Sequence, residues 1–440
     1  MNRGFYIIMA AQFFSALADN ALLIASIALL RDLHSPAQYE PMLKLFFTVS
    51  YVALAAFVGA FADSMPKGRV MFISNAVKIV GCFTLLFSTV PMLNFLGLPT
   101  YIYPLTSYAI VGLGAAAYSP AKYGILTEYL PHDKLVIANG WIEGLTVTAI
   151  ILGTMLGGIL ISPSVSGLLL SSTLLNTRTS VDTAPEVAIL VVSSLYCVAA
   201  LFNLFVPPTR VYHKPLHKNP MYLMHDFLHS VKLLWRDKLG QISLAVTTLF
   251  WGAGATLQFI VLKWADKALG LPLDQASVLQ GVFAVGVAIG AVLAARLVAL
   301  DKSLKVLSVG VAMGFVVMGM NLVTSLPVAL VMMVLVGAMS GFFVVPMNAL
   351  LQHRGHILMG AGHSIAVQNF NENASILVML AFYALLLYLD MSVYTVIVIF
   401  GVFVIVSMLL VALWHRRNMR KYGEELQTLL AAARSVNVPR

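Results

Sequence analysis

Apolar runs of roughly twenty residues recur from one end of the chain to the other, separated by short polar breaks. That is the length a helix needs to cross the hydrocarbon core of a bilayer. The runs predict twelve helices over roughly residues 5–30, 43–63, 70–90, 100–125, 135–161, 185–207, 240–263, 275–298, 304–324, 327–350, 362–387 and 392–414. The ninth and tenth are divided only by Ser325-Leu326-Pro327, which makes that boundary soft. The start of the first run imitates a signal peptide, with Arg3 and the small residues around Ala16-Leu17-Ala18. The apolar pattern resumes straight after Asp19-Asn20, however, so a first membrane helix is the better reading.

Composition agrees with the pattern. The 440 residues are 60% hydrophobic and 10% charged, against about one quarter charged in a soluble domain. The charges are also unevenly placed. With the N-terminus inside, 21 of the 27 Lys and Arg fall on cytoplasmic segments, five on outer ones, and Lys78 lies within a helix. This asymmetry supports an even helix number with both termini in the cytoplasm. It also accounts for the net charge of +9 without nucleic acid. Cys82 and Cys197 both lie in apolar runs, which argues against disulfide staples or a metal cluster.

The longest charged stretch separates helices six and seven. It divides the chain into a six-helix bundle at 1–207, a cytoplasmic linker at 208–239, a second bundle at 240–414 and a basic tail at 415–440. Within the linker, residues 221–238 place Met224, Phe227, Leu228, Val231, Leu234 and Trp235 on one helical face and His225, His229, Lys232 and Arg236 opposite. That suits a helix lying on the inner membrane surface. His225 and His229 have the spacing of two metal ligands, but without a clear third ligand the solvated-face reading is preferred.

The two halves echo each other. "GLGAAAYSPAKYGIL" (112–126) resembles "GAMSGFFVVPMNALL" (337–351), aligning Pro120 with Pro346, and Asn139-x3-Glu143 answers Gln368-x3-Glu372. "GAFADSMPKGR" (59–69) has a weaker counterpart in residues 290–302. A same-orientation repeat six helices long is the pattern of the major facilitator architecture, in which substrate binds near the midplane between two rocking halves. The predicted fold class is therefore all-α integral membrane: twelve transmembrane helices in two pseudo-symmetric six-helix bundles.

"AQFFSALADNALL", "GAFADSMPKGRVM", "GLGAAAYSPAKYGIL", "LFWGAG", "GFFVVPMNALLQ" and "GHSIAVQNFNENA" closely resemble the bacterial lysophospholipid transporter family. The likeness covers nearly all of residues 5–415. It implies a flippase of the Gram-negative inner membrane. Such a flippase carries lysophosphatidylethanolamine and lysophosphatidylglycerol to the cytoplasmic leaflet, where an acyltransferase–acyl carrier protein synthetase re-acylates them. Some relatives are fused to that enzyme, whereas no His-x4-Asp acyltransferase motif occurs in this chain. Members carry arginine in helix seven where this chain has Gln258, and Lys263, further along the same helix, is a candidate substitute. The resemblance implies no cofactor and a protein acting as a monomer.

A substrate with a phosphate, often an ammonium, and one acyl chain needs a few buried charges of both signs. Asp19 lies roughly 14 residues into the first helix, about 1.5 Å of rise per residue, so it falls inside the membrane. Intramembrane carboxylates are functional by default, and Asp19 is assigned to the headgroup ammonium or to a buried lysine such as Lys78 or Lys122. Asn20 serves either substrate or a helix–helix hydrogen bond. Lys122, after Pro120, is a candidate phosphate partner. Glu143 and Glu372 occupy matching positions in helices five and eleven and are expected on the central cavity. Nearby Asn139, Gln368, Asn371 and Asn373 fit packing better. Asp63, Arg69 and Glu128 read as gating charges. The substrate-binding set is thus Asp19, Asn20, Lys122, Glu143, Gln258, Lys263 and Glu372. A cation- or proton-coupled exporter of a drug or small solute fits the same fold, which does not determine function.

Overall fold

The computed structural model describes residues 3–88, 99–129, 135–171, 181–209, 219–359 and 361–435. Among them every regular element is helical. The membrane crossings are α1 (Arg3–Asp32), α2 (Tyr39–Ala53) with α3 (Ala55–Asp63), α4 (Lys67–Phe87), α5 (Ile102–Tyr129), α6 (Leu135–Ile161), α8 (Ala184–Leu204), α10 (Gly240–Leu269), α11 (Leu273–Leu297), α12 (Leu307–Met318), α13 (Leu326–Met359), α14 (Ala361–Tyr388) and α15 (Val393–Ser435). Two short helices lie between crossings: α7 (Pro163–Leu170) and α9 (Pro220–Arg236). Among the described residues, ten of the crossings are long and apolar enough to span a bilayer by length and hydropathy alone, α12 only together with its flanking turns as Lys302–Leu322. The others are α5, 28 residues long, and the α2–α3 pair. All twelve apolar runs therefore meet helix.

Several local causes shape these elements. The second crossing is divided at Leu54 (φ −102°, ψ 1°), which leaves the helical dihedral range for one residue. The ninth is tightened at both ends into 3₁₀ turns, Leu300–Val306 and Gly319–Leu322, around α12. Pro120 and Pro346 both sit inside their helices, where each removes one backbone hydrogen bond. Gly270 ends α10 with φ +64°, a left-handed cap suited to a residue without Cβ. At the start of α8 the Glu186 carboxylate accepts the Asp182 and Thr183 N–H groups at 2.9 and 3.1 Å. Part of the long segment after the fifth helix is α7, entered through Pro163. Between α1 and α2, Arg31 grips Glu40 through two nitrogens at 2.8 and 3.2 Å.

The helices pack as two units, Met1–Leu223 with Leu271–Gly281, and Met224–Gly270 with Val282–Arg440. In the first, α1 packs on α6 and α8, and α4 on α5 and α8. In the second, α10 packs on α13, α14 and α15, and α12 on α15. Glycines set the closest approaches. Gly153 and Gly157 bring α6 onto the Leu17 and Ala21 carbonyls of α1. Gly286 and Gly290 of α11 face Val334 and Ala338 of α13, while Gly337 and Gly341 face Phe283 and Val287 in return. Backbone contact of this kind drives helix association where lipid supplies no hydrophobic force. Large apolar side chains such as Val80, Phe83, Phe87, Leu201 and Leu410 remain exposed, as expected of helices that face hydrocarbon.

The face predicted for the linker helix divides in the structure. Phe227 and Leu234 of α9 are buried. Phe227 packs edge-on against Phe370 of α14, and Trp235 stacks on Trp414 of α15. Met221, Met224 and Leu228 stay exposed. One stripe docks on the second unit while the other keeps the character expected for a membrane surface. Periodicity identified the apolar residues but could not show that another helix would take half of them.

Candidate functional site

In the first unit the polar residues of α1, α4 and α8 converge. Asn75 and Lys78 of α4 are one helical turn apart and share a face. The Lys78 ammonium donates to both Asp19 oxygens, at 2.8 and 2.9 Å, and to Ser15 Oγ at 3.0 Å. Ser15 donates in turn to Asn75 Oδ1 at 2.8 Å. Tyr196 of α8 donates its hydroxyl to Asp19 Oδ1 at 2.6 Å. The rings of Tyr118 and Tyr196 lie 5.1 and 5.3 Å from the same ammonium, a cation–π arrangement that stabilises a desolvated charge. Lys78 is only 1% exposed and Asp19 is 24% exposed. The pair is electrically neutral. Its carboxylate uses three of about four acceptor directions, and its open side can meet a donor from a ligand.

Asn20 turns back to the Ala16 carbonyl at 2.8 Å, a bond within its own helix. Lys122 donates to Thr146 of α6 at 2.7 Å and lies 5.1 Å from the Tyr123 ring. Gln12 of α1 reaches the Lys122 carbonyl at 3.2 Å, so α1, α5 and α6 meet around that residue. The side chains of Asp63, Asn139 and Glu143 lie outside the described residues.

One further cluster of the first unit sits at the start of α4 and the end of α5. Lys67 lies 3.3 Å from Glu128 and donates to the Ala62 carbonyl at 2.9 Å. Glu128 also accepts from the Thr209 hydroxyl at 2.8 Å. Arg69 is exposed beside it. An ion pair across two helix ends can hold one conformation until it is broken, which is what a gate requires.

In the second unit, buried Glu372 accepts from Gln368 at 2.7 Å, and Gln368 also donates to Asn348 of α13 at 3.1 Å. Asn371 receives the Trp235 indole N–H at 3.0 Å, tying α9 to α14. Asn373 returns to the Asn369 carbonyl at 2.7 Å. Gln258 and Lys263 are half-buried on α10. Between α9 and α10, Asp237 is gripped by Arg354 of α13 through two nitrogens, at 3.1 and 2.5 Å. Both side chains are buried. Burial pushes the Asp237 carboxyl upward, but Arg354 and the backbone N–H of Gly240 outweigh it and hold the group below the usual carboxylate range.

Sequence pattern missed Tyr196 and the Asp237–Arg354 pair. Tyr196 is one amphipathic ring in a long apolar run, and Arg354 reads as one more cytoplasmic charge. Asn75-x2-Lys78 was the available signal: two polar residues on one face of an otherwise apolar helix.

The sequence profile of the Major Facilitator Superfamily matches residues 8–367. Among solved structures, a mutant of the nucleoside transporter NupG superposes with a TM-score of 0.67 at 12% identity, covering 94% of this chain and all of that one. The POT family transporter PepTSo superposes at 0.68 and 13%, covering 96% and 99%. These likenesses establish the fold alone. Sequence relatives go further. The lysophospholipid transporter LplT of Yersinia enterocolitica is 40% identical over 395 residues, 89% of each chain. The protein of the same name from Yersinia pestis strain Pestoides F is 39% identical over 398 residues, 90% of each. The chain belongs to the major facilitator superfamily and, within it, to the lysophospholipid transporter family. It is a multi-pass membrane transporter, not an enzyme.

Proposed function

We propose that this protein moves lysophospholipids such as lysophosphatidylethanolamine and lysophosphatidylglycerol across the bacterial inner membrane to the cytoplasmic leaflet. The observation that carries this reading is 40% identity, over 89% of both chains, to a relative named for that substrate. The charged sites agree with it. Asp19 presents a partly open carboxylate to a headgroup ammonium, and Lys122 supplies a cation for the phosphate. Asn20, Glu143, Gln258, Lys263 and Glu372 are the other substrate-binding residues. Asp63, Arg69 and Glu128 act as the gate, through the Lys67–Glu128 contact.

Transport proceeds by alternating access of two six-helix halves, 1–207 and 240–414. The linker 208–239 and the tail 415–440 lie in the cytoplasm with both termini. The protein works as a monomer, and an acyltransferase–acyl carrier protein synthetase consumes the delivered lipid.

Uptake of labelled lysophosphatidylethanolamine by spheroplasts that lack their own transporter but retain the acyltransferase tests the reading. Conversion to diacyl lipid is expected with this chain and not with empty vector. No conversion from well-expressed wild type refutes it and favours the exporter of a small solute.

A further inference from the structure

The first turn of α4, the end of α5 and the end of α8 enclose a cavity of about 480 Å³. Its making begins with Gly68. A Cβ there would lie 3.0 Å from Val206 Cβ and 3.3 Å from the Asn203 carbonyl, so glycine lets α4 begin this close to the end of α8 without displacing its neighbours. Pro66 precedes the helix, and no side chain caps its N-terminus. A helix of 21 residues thus presents the positive end of its dipole to the cavity. Lys67 and Arg69 line the same space.

The second observation is Asn203, which also lines the cavity. It is 3% exposed, and neither its Nδ2 nor its Oδ1 has a hydrogen-bond partner. A buried amide with both ends unsatisfied is rare in folded proteins and calls for a partner. Apart from Thr209, whose hydroxyl donates to Glu128 at 2.8 Å, the remaining wall is apolar, with Phe72, Ile73 and Leu204 among its residues. Ile73 and Leu204 are exposed on the outside of the unit, which opens the space toward lipid.

We infer that this cavity is a binding site for a phosphate-bearing anion, distinct from the site around Asp19. The helix end, Arg69 and the Asn203 amide N–H receive the phosphate oxygens. The Asn203 carbonyl oxygen accepts from a hydroxyl or ammonium carried by the same ligand. A phospholipid headgroup of the adjoining leaflet meets all of these demands, while free phosphate meets all but the last and the apolar wall. Occupancy has a consequence for the gate. The anion draws on the Lys67 ammonium that otherwise holds Glu128 at 3.3 Å, so a bound headgroup loosens that pair.

The test uses the purified full chain in detergent, read by native mass spectrometry and by thermal stability. The probes are dioleoyl phosphatidylethanolamine, inorganic phosphate and dioleoylglycerol. The variants are Asn203→Leu, which removes both unpartnered atoms, and the isosteric Asn203→Asp, which repels an anion. Wild type is expected to retain one phosphatidylethanolamine and to be stabilised by it. Each variant binds it about tenfold more weakly, the loss expected for one hydrogen bond to a charged group. Displacement of the lipid by millimolar phosphate identifies the anion itself as the ligand, whereas resistance to displacement identifies the whole headgroup. Equal binding by all three proteins overturns the inference, and so does dioleoylglycerol binding as tightly as the phospholipid. Each variant enters the comparison through its own unliganded stability. Asn203→Leu is expected to unfold at or above the wild-type temperature, because it removes an amide that has no partner. The site does not depend on what is transported, so the uptake assay stands apart from this one.

Discussion

Replacing Lys78 with methionine separates the energetic role of the buried ion pair from any role toward substrate. Methionine keeps most of the side-chain length and removes the charge. Asp19 then loses two of its three hydrogen bonds and keeps only that from Tyr196. Breaking a fully buried pair from one side costs about 3–5 kcal/mol. Asp19 is 24% exposed, so water recovers part of that loss, and we expect about 2–3 kcal/mol. Asp19→Asn leaves the almost fully buried Lys78 ammonium short of a counter-charge and costs a similar amount. The double variant removes both charges and falls within about 1 kcal/mol of wild type, which makes the coupling energy, the sum of the two single losses less that of the double variant, about 3–6 kcal/mol. Unfolding free energies of the four purified proteins in mixed micelles with increasing dodecyl sulfate measure this directly. Uptake adds the functional arm. If Asp19 meets an ammonium, the double variant is stable yet loses about tenfold in uptake of lysophosphatidylethanolamine relative to lysophosphatidylglycerol. A coupling below about 0.5 kcal/mol refutes the energetic argument. A stable double variant with unchanged headgroup preference refutes the assignment of Asp19 to substrate.

Two further perturbations test other parts of the structure. Arg354→Ala leaves the Asp237 carboxylate buried without its cation and should destabilise the protein by about 3–5 kcal/mol. Because folding lowers the Asp237 value, the pair's contribution is fully present above the ordinary carboxylate value near 3.9 and fades as pH falls through the depressed one. The stability gap between wild type and Arg354→Ala should therefore be constant from about pH 5 to 8 and narrow in strong acid; a gap that widens in acid refutes the sign. Glu128→Gln weakens the hold on Lys67 by about 1 kcal/mol, a shift of about fivefold in a two-state gate. Maximal uptake rate should change with KM preserved, and a change confined to KM would assign Glu128 to substrate instead.

Much of the fold was legible in the sequence because the bilayer imposes one length on every crossing. All twelve apolar runs meet helix, and the run at 135–161 matches α6 to the residue. Boundaries shifted where a helix continues past the membrane, as α15 does from residue 414 to a break at Tyr422 (φ −132°, ψ 33°), beyond which a second helical piece runs to Ser435, since hydropathy reports the end of hydrocarbon rather than the end of the helix. The site was legible where a charge interrupts an apolar run. Asp19 and Lys78 stand out on that ground. Their partners do not, because Ser15 and Tyr196 are compatible with lipid and with packing alike, and only the approach of α1, α4 and α8 gives them work. Asn203 was invisible for a related reason: one amide near a helix end reads as a cap until its surroundings show that nothing answers it.

The seam between α11 and α13 has a mechanical consequence. Gly286 and Gly290 press on one helix while Gly337 and Gly341 press back on the other, so the two backbones interlock with no side chain between them to act as a bearing. Sliding one helix along the other by a fraction of a turn would drive carbonyl oxygens into Cα atoms. Close backbone packing of this kind favours motion of the two helices as one unit, with bending during a transport cycle taken up elsewhere. Spin labels on the outer faces of α11 and α13 should hold a single separation throughout the cycle, which makes this pair a fixed reference against which the moving parts of the transporter can be measured.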